Sequence, residues 1–261
     1  MTIAITVSRQ PGQRRGGLGL LALSLLALPF IASAEERPYE LELELGAAWQ
    51  SKNDVQIPGD TGTRFPLDAV SGSGPWATGR VNFNWNVKGR HGVRFVAAPL
   101  GYDESGFLPF PVDFAGERFT DTQPVDARYR FNSWRATYRY RFDRPSGWQY
   151  WVGVTAKVRD AEIRLIQGDT VALDDDVGFV PLLHLAARYR INERWSFDGD
   201  FDGLAGGPGR AFDLGLRFNY HFDERWSLGL GYRLLEGGVD RDAVYNFAWF
   251  NSAVANLRLS F

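Results

Sequence analysis

The sequence contains no cysteine, one methionine and three histidines among 261 residues. The absence of cysteine excludes disulfides, thiolate metal sites, cysteine nucleophiles and a lipoprotein anchor. Three scattered histidines without cysteine make no transition-metal spacing, so we expect no metal and no cofactor. After residue 34 there is also no apolar run long enough to span a bilayer as a helix. Yet 15% of the residues are aromatic and 23% are charged, which is unusual for a soluble core.

The first 34 residues have the organisation of a secretory signal peptide. A basic stretch with Arg9, Arg14 and Arg15 precedes an apolar run over 18–31 and a small-residue exit at 32–34. The apolar run is too short to cross a bilayer. We therefore predict a signal peptide over 1–34 and one mature domain over 35–261.

Net charge is low. The whole chain carries −2 with histidine neutral, and removal of three arginines with the signal peptide would leave about −5, since a charge balance is a simple count of side chains. A mildly acidic chain has no basic footprint for nucleic acid, so we expect no nucleic-acid partner.

Polarity alternates along much of the mature chain. From Trp76 to Lys88, the positions from Ala77 to Val87 are apolar or small, whereas threonine, arginine, asparagine and lysine occupy the positions between them. A period of two predicts a strand with one apolar and one polar face, as in transmembrane barrels. The predicted strands start near Tyr39, Trp76, Gly92, Arg128, Trp148, Phe179, Trp195, Ala211, Trp226 and Tyr245.

These ten strands predict an all-β fold, a transmembrane antiparallel up-and-down β-barrel. Twelve strands are the alternative, because residues 106–119 could form a further hairpin. Connections after even-numbered strands are short, at 89–91, 143–147, 192–194 and 223–225, and those after odd-numbered strands are longer. In such barrels the short turns face the periplasm and the long loops face outward.

Two segments break the alternation. Tyr129 and Phe131 are out of phase with Trp134, and Glu162 and Arg164 are out of phase with the residues before them. Bulges, or strands that continue beyond the membrane, would explain both.

The chain ends on Phe261, and the residues before it are apolar at every second position. Aromatic residues recur at the same end of the predicted strands, as in the girdles that mark membrane interfaces. The predicted girdle contains Tyr39, Trp148, Trp195, Trp226 and Phe261. With the export signal and the turn asymmetry, these features resemble bacterial outer-membrane β-barrels, in size the small group of OmpA, OmpX and OmpW.

The resemblance implies a location in the cell outer membrane and contact with its lipid and lipopolysaccharide. It also implies that the barrel assembly machinery recognises the C-terminal Phe261. No member's function carries over residue by residue, and neither omptin catalytic motifs nor a peptidoglycan-binding domain is recognisable.

The polar strand faces would then line the lumen. Turn register places Arg188 opposite Asp198 and His184 opposite Asp202. A similar register across the next connection sets Asp198 beside Arg217 and predicts a triad of Arg188, Asp198 and Arg217.

Barrel closure would bring Glu40, Glu42 and Glu44 against Arg258 on one side and against Arg80 and Lys88 on the other. A narrow barrel of this kind should be plugged by ion pairs and trapped water. The predicted ion-pair network contains Glu42, Glu44, Arg80, Arg135, Arg139, His184, Arg188, Asp198, Asp200, Asp202, Asp213, Arg217 and Arg258.

Catalysis is the competing interpretation of these residues. His184 with Asp200, Asp202 and Asp213 could form an acid/base cluster, but charged inner faces are a general feature of such barrels. In the predicted register no histidine reaches Ser196, which leaves a serine–histidine arrangement unsupported. His91 and His221 are interpreted as solvated turn residues.

Three outer segments have weaker interpretations. Residues 174–176, all aspartate, are expected at a solvated loop tip rather than in a Ca²⁺ site. Residues 203–209 are expected as a flexible hairpin connection. Arg118 and Arg128 could pair with lipopolysaccharide phosphates.

We therefore expect a structural or surface-interaction barrel that is not an enzyme. A narrow channel for small solutes is the first alternative and an outer-membrane hydrolase the second. A soluble secreted β-barrel is the rival at the level of the fold, and it would keep apolar residues inside.

Overall fold

The computed structural model describes residues 37–261, so the predicted signal peptide lies outside the described residues. Within that range no helix is long and apolar enough to cross a membrane. The elements are β1 (Tyr39–Gln56), β2 (Phe65–Pro66), α1 (Asp68–Ser71), β3 (Trp76–Lys88), β4 (His91–Ala98), β5 (Gly101–Gly106), β6 (Val112–Phe114), β7 (Glu117–Phe119), β8 (Val125–Asp143), β9 (Trp148–Gln167), β10 (Thr170–Arg190), β11 (Trp195–Gly206), β12 (Gly209–His221), β13 (Trp226–Arg241) and β14 (Val244–Ser260).

Ten strands form a closed antiparallel barrel: β1, β3, β4 and β8 to β14, with β5 continuing the line of β4 along β8. Pairing of β14 with β1 closes the sheet. Tyr39 and Phe261 exchange two backbone hydrogen bonds, at 3.0 and 2.9 Å, so closure extends to the last residue. Closure pairs the strands on both sides near Tyr39 and Phe261, so backbone groups there are satisfied within the sheet. Further along, β3 before Val81 and β10 before Leu183 extend beyond their pairing with β4 and β11. The ten-strand prediction is confirmed, and the extra hairpin forms a separate two-stranded sheet, β6–β7.

Tyr39, where β1 begins, and Phe261 lie at one end of the barrel, which we call the terminal end; the opposite end is the loop end. The four predicted tight turns lie at the terminal end. Asn192 Oδ1 accepts the backbone N–H groups two and three residues further on, both at 2.9 Å. Asp223 Oδ1 does the same at 2.6 and 2.7 Å, and these bonds from Trp226 and Arg225 hold the pKa of Asp223 below its usual range.

At the loop end the expectation of uniformly longer connections is wrong. Three of the five are two-residue turns, at 168–169, 207–208 and 242–243, because the strands on either side continue further than predicted. Residues 174–176 therefore lie inside β10, paired with β9, rather than at a loop tip. Residues 203–206 likewise belong to β11 and pair with β12 instead of forming a flexible connection.

The out-of-phase segments are continuous strands. Pairing of β8 with β9 runs without a register shift from Asp126 to Asp143. Along the inward face of β8, polar residues such as Arg135 give way to the buried Tyr129. The outward face changes oppositely, from Trp134 to Arg130. Each face keeps its direction and exchanges its polarity, which excludes a bulge here as the cause.

Near the terminal end the barrel is apolar outside and charged inside. Leu45 and Leu230, both on the outer face, are each 69% exposed, whereas Glu42 and Arg258 on the inner face are 2% and 3% exposed. A soluble barrel would show the reverse, because water solvates charges and excludes apolar surface. This half of the molecule is therefore built to face hydrocarbon.

Near the loop end the interior is apolar. Two inward-folded segments, residues 57–75 and 107–124, form what we call the plug, together with the strand residues that they contact. The Phe65 and Phe114 rings meet edge to face, with centroids 6.2 Å apart. The buried apolar cluster contains Ala48, Val55, Ile57, Phe65, Leu67, Val70, Leu100, Tyr102, Leu108, Val112, Phe114, Phe119, Val125, Ala127, Tyr129, Ile163, Leu165, Ala172, Ala248 and Phe250.

Candidate functional site

The charged interior is built from two acidic runs with a period of two. Residues 40, 42 and 44 on β1 are all glutamate, and residues 198, 200 and 202 on β11 are all aspartate. Alternation along a strand turns every member of each run to the inner face. Arginines on β12, β13 and β14 lie between the two runs, since these strands separate β11 from β1 around the barrel.

Asp213 on β12 is surrounded by guanidinium groups. Its carboxylate accepts hydrogen bonds from Arg80 at 2.5 Å, Arg135 at 2.5 Å and Arg233 at 2.6 Å. All four side chains are nearly inaccessible to solvent. One carboxylate thus joins arginines from β3, β8 and β13.

Glu44 and Asp200 link the acidic runs through shared arginines. Glu44 accepts two hydrogen bonds from Arg233, at 2.7 and 3.0 Å, and one from Arg217 at 3.4 Å. Arg217 also donates to Asp200. The guanidinium groups therefore span more than one neighbouring strand.

The layer nearest the terminal end contains a different set of pairs. Arg258 contacts Glu42 at 2.6 Å and Asp198 at 2.8 Å. Arg188 contacts Asp198 at 3.0 Å and Glu40 at 3.3 Å. Each arginine again bridges two acids.

The predicted backbone register is confirmed. Glu42 pairs with Arg258, Glu44 with Arg80, and Asp198 with both Arg188 and Arg217. Two details are wrong. Lys88 lies beyond the β1–β3 pairing, which ends at Trp85. The triad forms with Arg258 in place of Arg217, because the Arg217 side chain extends to Asp200 and Glu44.

His184 and Asp202 are in contact, as the predicted register required. His184 Nδ1 lies 2.8 Å from Asp202, whose carboxylate also binds Arg135 at 2.8 Å, Arg94, and Thr155 at 3.1 Å. His184 is completely buried. An acid–base pair is present, but it is enclosed by the ion-pair network rather than open to a substrate.

The expectation for Ser196 is wrong. His221 Nε2 lies 3.0 Å from Ser196 Oγ, which in turn lies 3.2 Å from Asp198. His221, at the end of β12, thus contacts Ser196, although the sequence predicted that His221 is a solvated turn residue. The aspartate contacts the serine and not the histidine, so the order of a serine–histidine–aspartate triad is not formed.

Arg94, Arg233 and Lys157 were missing from the predicted network. All three are buried on inward positions of predicted strands, so strand parity alone could have found them. Arg139, which was predicted, is buried and stacks over Trp151 at 5.3 Å instead of forming an ion pair. Among the described residues, eight arginine and lysine side chains and six carboxylates are buried. The buried cations are Arg80, Arg94, Arg135, Arg139, Lys157, Arg217, Arg233 and Arg258, and the buried acids are Glu42, Glu44, Asp198, Asp200, Asp202 and Asp213, whereas Arg188 and Glu40 are partly exposed.

The predicted girdle residues all lie at the terminal end. Tyr39 packs against Phe261 with ring centroids 5.6 Å apart. Trp148, Trp195 and Trp226 each open a strand directly after a tight turn. Among residues 37–261, no group of three or more His, Asp or Glu side chains is arranged to hold a metal ion.

Comparison with known proteins places the fold. No family model matches the chain, and no curated protein matches it in sequence. Among solved structures it is similar to the outer membrane protease OmpT from Escherichia coli, with 10% identity, 85% of this chain and 96% of that chain covered, and a TM-score of 0.52. It also matches the translocator domain of autotransporter NalP from Neisseria meningitidis, with 9% identity, 87% and 90% covered, and a TM-score of 0.43.

A closed ten-strand barrel with an apolar outer surface and a charged interior defines an integral membrane β-barrel. The chain has the fold of the bacterial outer-membrane β-barrels. At 10% identity, the similarity to OmpT extends to the fold and to nothing of that protein's activity.

Proposed function

We propose that this barrel is a non-conducting structural or surface-interaction protein of the outer membrane. The observation that carries the proposal is the filled interior. The ion-pair network closes the terminal half, and the plug closes the loop half. The cavity between them has a volume of about 40 Å³, which is space for one or a few water molecules rather than for a solute.

The two fillings block passage in different ways. The ion-pair network crosses the lumen, since Arg80 and Arg135 from one side of the barrel and Arg233 from the other meet at Asp213. A solute would have to replace these contacts in a desolvated interior, at several kcal/mol per uncompensated charge. The plug adds an apolar layer above them.

Conductance in planar bilayers tests the proposal. The purified barrel should give no single-channel steps at any voltage, while an open porin in the same bilayers gives them. A variant in which a short glycine–serine linker replaces residues 107–124 should also be silent, because the ion-pair network remains. Reproducible steps from the unmodified protein would contradict the proposal.

Surface interaction would occur at the loop end and on the outer face just above the apolar band. Arg128 and Arg130 project there from β8, in pairs with Asp103 and Glu162 respectively. Such groups are suited to phosphates of lipopolysaccharide, because guanidinium binds phosphate through paired hydrogen bonds. Lipopolysaccharide added to the folded protein should raise its apparent melting temperature, and the Arg128→Gln variant should respond less.

Recognition by the barrel assembly machinery belongs to the same proposal. Phe261 is 42% exposed on the outer surface at the point of closure. The Phe261→Ala variant should assemble poorly in cells and yet refold in detergent, since the change leaves the backbone pairing with Tyr39 unaltered.

The proposal includes no catalytic role. His184 is sealed from solvent, and its partner Asp202 is held by Arg94 and Arg135. Lipid and peptide substrates should show no turnover. Turnover that the His184→Ala variant abolishes would instead support a hydrolase.

A further inference from the structure

We propose that the cavity between the ion-pair network and the plug is a binding site for one small monovalent anion, of the size and charge of chloride. The inference is independent of what the barrel does at the cell surface. It begins with the composition of the cavity wall, which brings together Arg80, Arg135, Arg233, Ser133, Ser252 and Glu44, under a cover of apolar plug residues.

Hydrogen-bond donors at this cavity exceed acceptors. Arg80 Nη1 is buried and has no hydrogen-bond partner within residues 37–261. Ser133 Oγ accepts a bond from Arg135 at 2.9 Å, which leaves its hydroxyl proton for another acceptor. Ser252 adds a second hydroxyl. A buried donor without an acceptor costs free energy, so the cavity favours a species that only accepts.

The one carboxylate in the wall is already neutralised. Glu44 accepts two hydrogen bonds from Arg233 and one from Arg217. Its charge is therefore offset within the ion-pair network. The rest of the polar wall consists of guanidinium and hydroxyl groups, and these guanidinium groups also bind Asp213.

The buried charges also have an excess of positive sign, at eight cationic side chains against six carboxylates among the described residues. Arg139 is one of the two cations in excess, and it lies toward the terminal end. Lys157 accounts for the other: it is 2% exposed, packs over Phe131 at 4.7 Å, and forms no ion pair with any described residue. Phe131 itself lines the cavity. An uncompensated buried ammonium is unfavourable, and an adjacent anion would offset it.

The size of the cavity sets the class of ligand. A volume of about 40 Å³ accepts a halide ion and is too small for a nucleotide. The cavity lies between the ion-pair network and the apolar cluster, and its wall includes Pro99, which is exposed directly after β4.

Bromide provides the direct test. Crystals of the unmodified protein grown with sodium bromide in place of chloride should show an anomalous peak in the cavity, within hydrogen-bond distance of Arg80 and Ser133. Density for water alone, with no anomalous peak there, would overturn the proposal.

Thermal unfolding at constant ionic strength provides the second test. Replacing gluconate by chloride should raise the apparent melting temperature by a few degrees for each tenfold rise above the dissociation constant. Ser252→Ala should weaken this response and Lys157→Met should reduce it, whereas the outer-surface control Arg130→Gln should retain it. An equal response in all four proteins would show a general salt effect and refute a specific site.

Discussion

The same ten strands enclose two interiors of opposite character. In the terminal half, the inner face is ionic and the outer face apolar. In the loop half, the inner face is apolar and the outer face of β8 is charged, whereas β10 keeps exposed apolar residues such as Val177 and Phe179. On β8 the change occurs between Trp134 and Arg130, without any shift in register. Strand geometry thus fixes the direction of each side chain, and the medium outside the barrel fixes which polarity is tolerated there. Where lipid is replaced by water, the barrel returns to the arrangement of a soluble protein.

The two interiors also differ in the interactions that stabilise them. The ion-pair network depends on pairing, because a buried charge that loses its partner is strongly destabilising. The plug depends on buried area and packing, which fall in proportion to the atoms removed. Mutations in the two halves should therefore destabilise the protein in different ways.

The largest expected effect is at Asp213. The Asp213→Ala variant leaves Arg80, Arg135 and Arg233 without their shared acceptor. We expect a loss of about 3–5 kcal/mol in the free energy of unfolding, with the whole barrel affected. Urea unfolding from lipid vesicles measures it. Asp213→Asn, which keeps the shape but not the charge, should lose nearly as much; a stable Asp213→Asn barrel would show that packing and not charge matters there.

Phe114 tests the plug. Its ring is fully buried between Phe65 and Phe119, and Phe114→Ala should cost about 3 kcal/mol. We expect this loss to be local: protease should cut within residues 107–124 while the barrel keeps its heat-resistant mobility on gels. Whole-barrel unfolding without such cleavage would mean that the plug and the barrel fold as one unit.

The fold could be predicted from sequence where alternation was strong and turns were short. The inward residues of β1, β10, β11 and β14 followed from parity. The pairing of β10 with β11 followed from turn length, and that of β1 with β14 followed from barrel closure. The side-chain partners were less predictable, since register fixes Cα positions only. An arginine such as Arg217 can reach across two strands to a different acid.

The plug could not be predicted from these rules. Its apolar residues lie in segments 57–75 and 107–124, which have no period of two, and their long-range packing leaves no local signal. The exchange of polarity on β8 was visible as a phase error at Tyr129, but sequence alone did not distinguish it from a bulge. If the inward and outward alternation of β8 is continued from Trp134 back to Val125, it predicts both the extended strand and the buried Tyr129.

Asp198 should show an intermediate effect. Its carboxylate pairs with Arg258, which is buried, and with Arg188, which is 23% exposed through its side chain. Water can rehydrate Arg188 in part, so Asp198→Ala should cost about 2 kcal/mol rather than the full amount. The apparent melting temperature in detergent should fall, and an unchanged value would count against the network at this layer.

The smallest effect is expected on the outer face near the loop end. Arg130 pairs with Asp160 at 3.1 Å and with Glu162 at 2.8 Å, in contact with solvent. Exposed pairs contribute little, so Arg130→Gln should change the free energy of unfolding by less than about 1 kcal/mol. A loss as large as that of Asp213→Ala would mean that this surface is not in water.

The exchange of polarity along β8 can be measured directly, because the chain has no cysteine of its own. Single cysteines at positions 128, 130, 134 and 138, all on the outward face, would carry nitroxide spin labels in lipid vesicles. Collision with oxygen, which partitions into lipid, is compared with collision with a water-soluble nickel chelate. We predict oxygen-dominated collision at 134 and 138 and nickel-dominated collision at 128 and 130. The same collision ratio at all four positions would contradict a membrane boundary between Arg130 and Trp134.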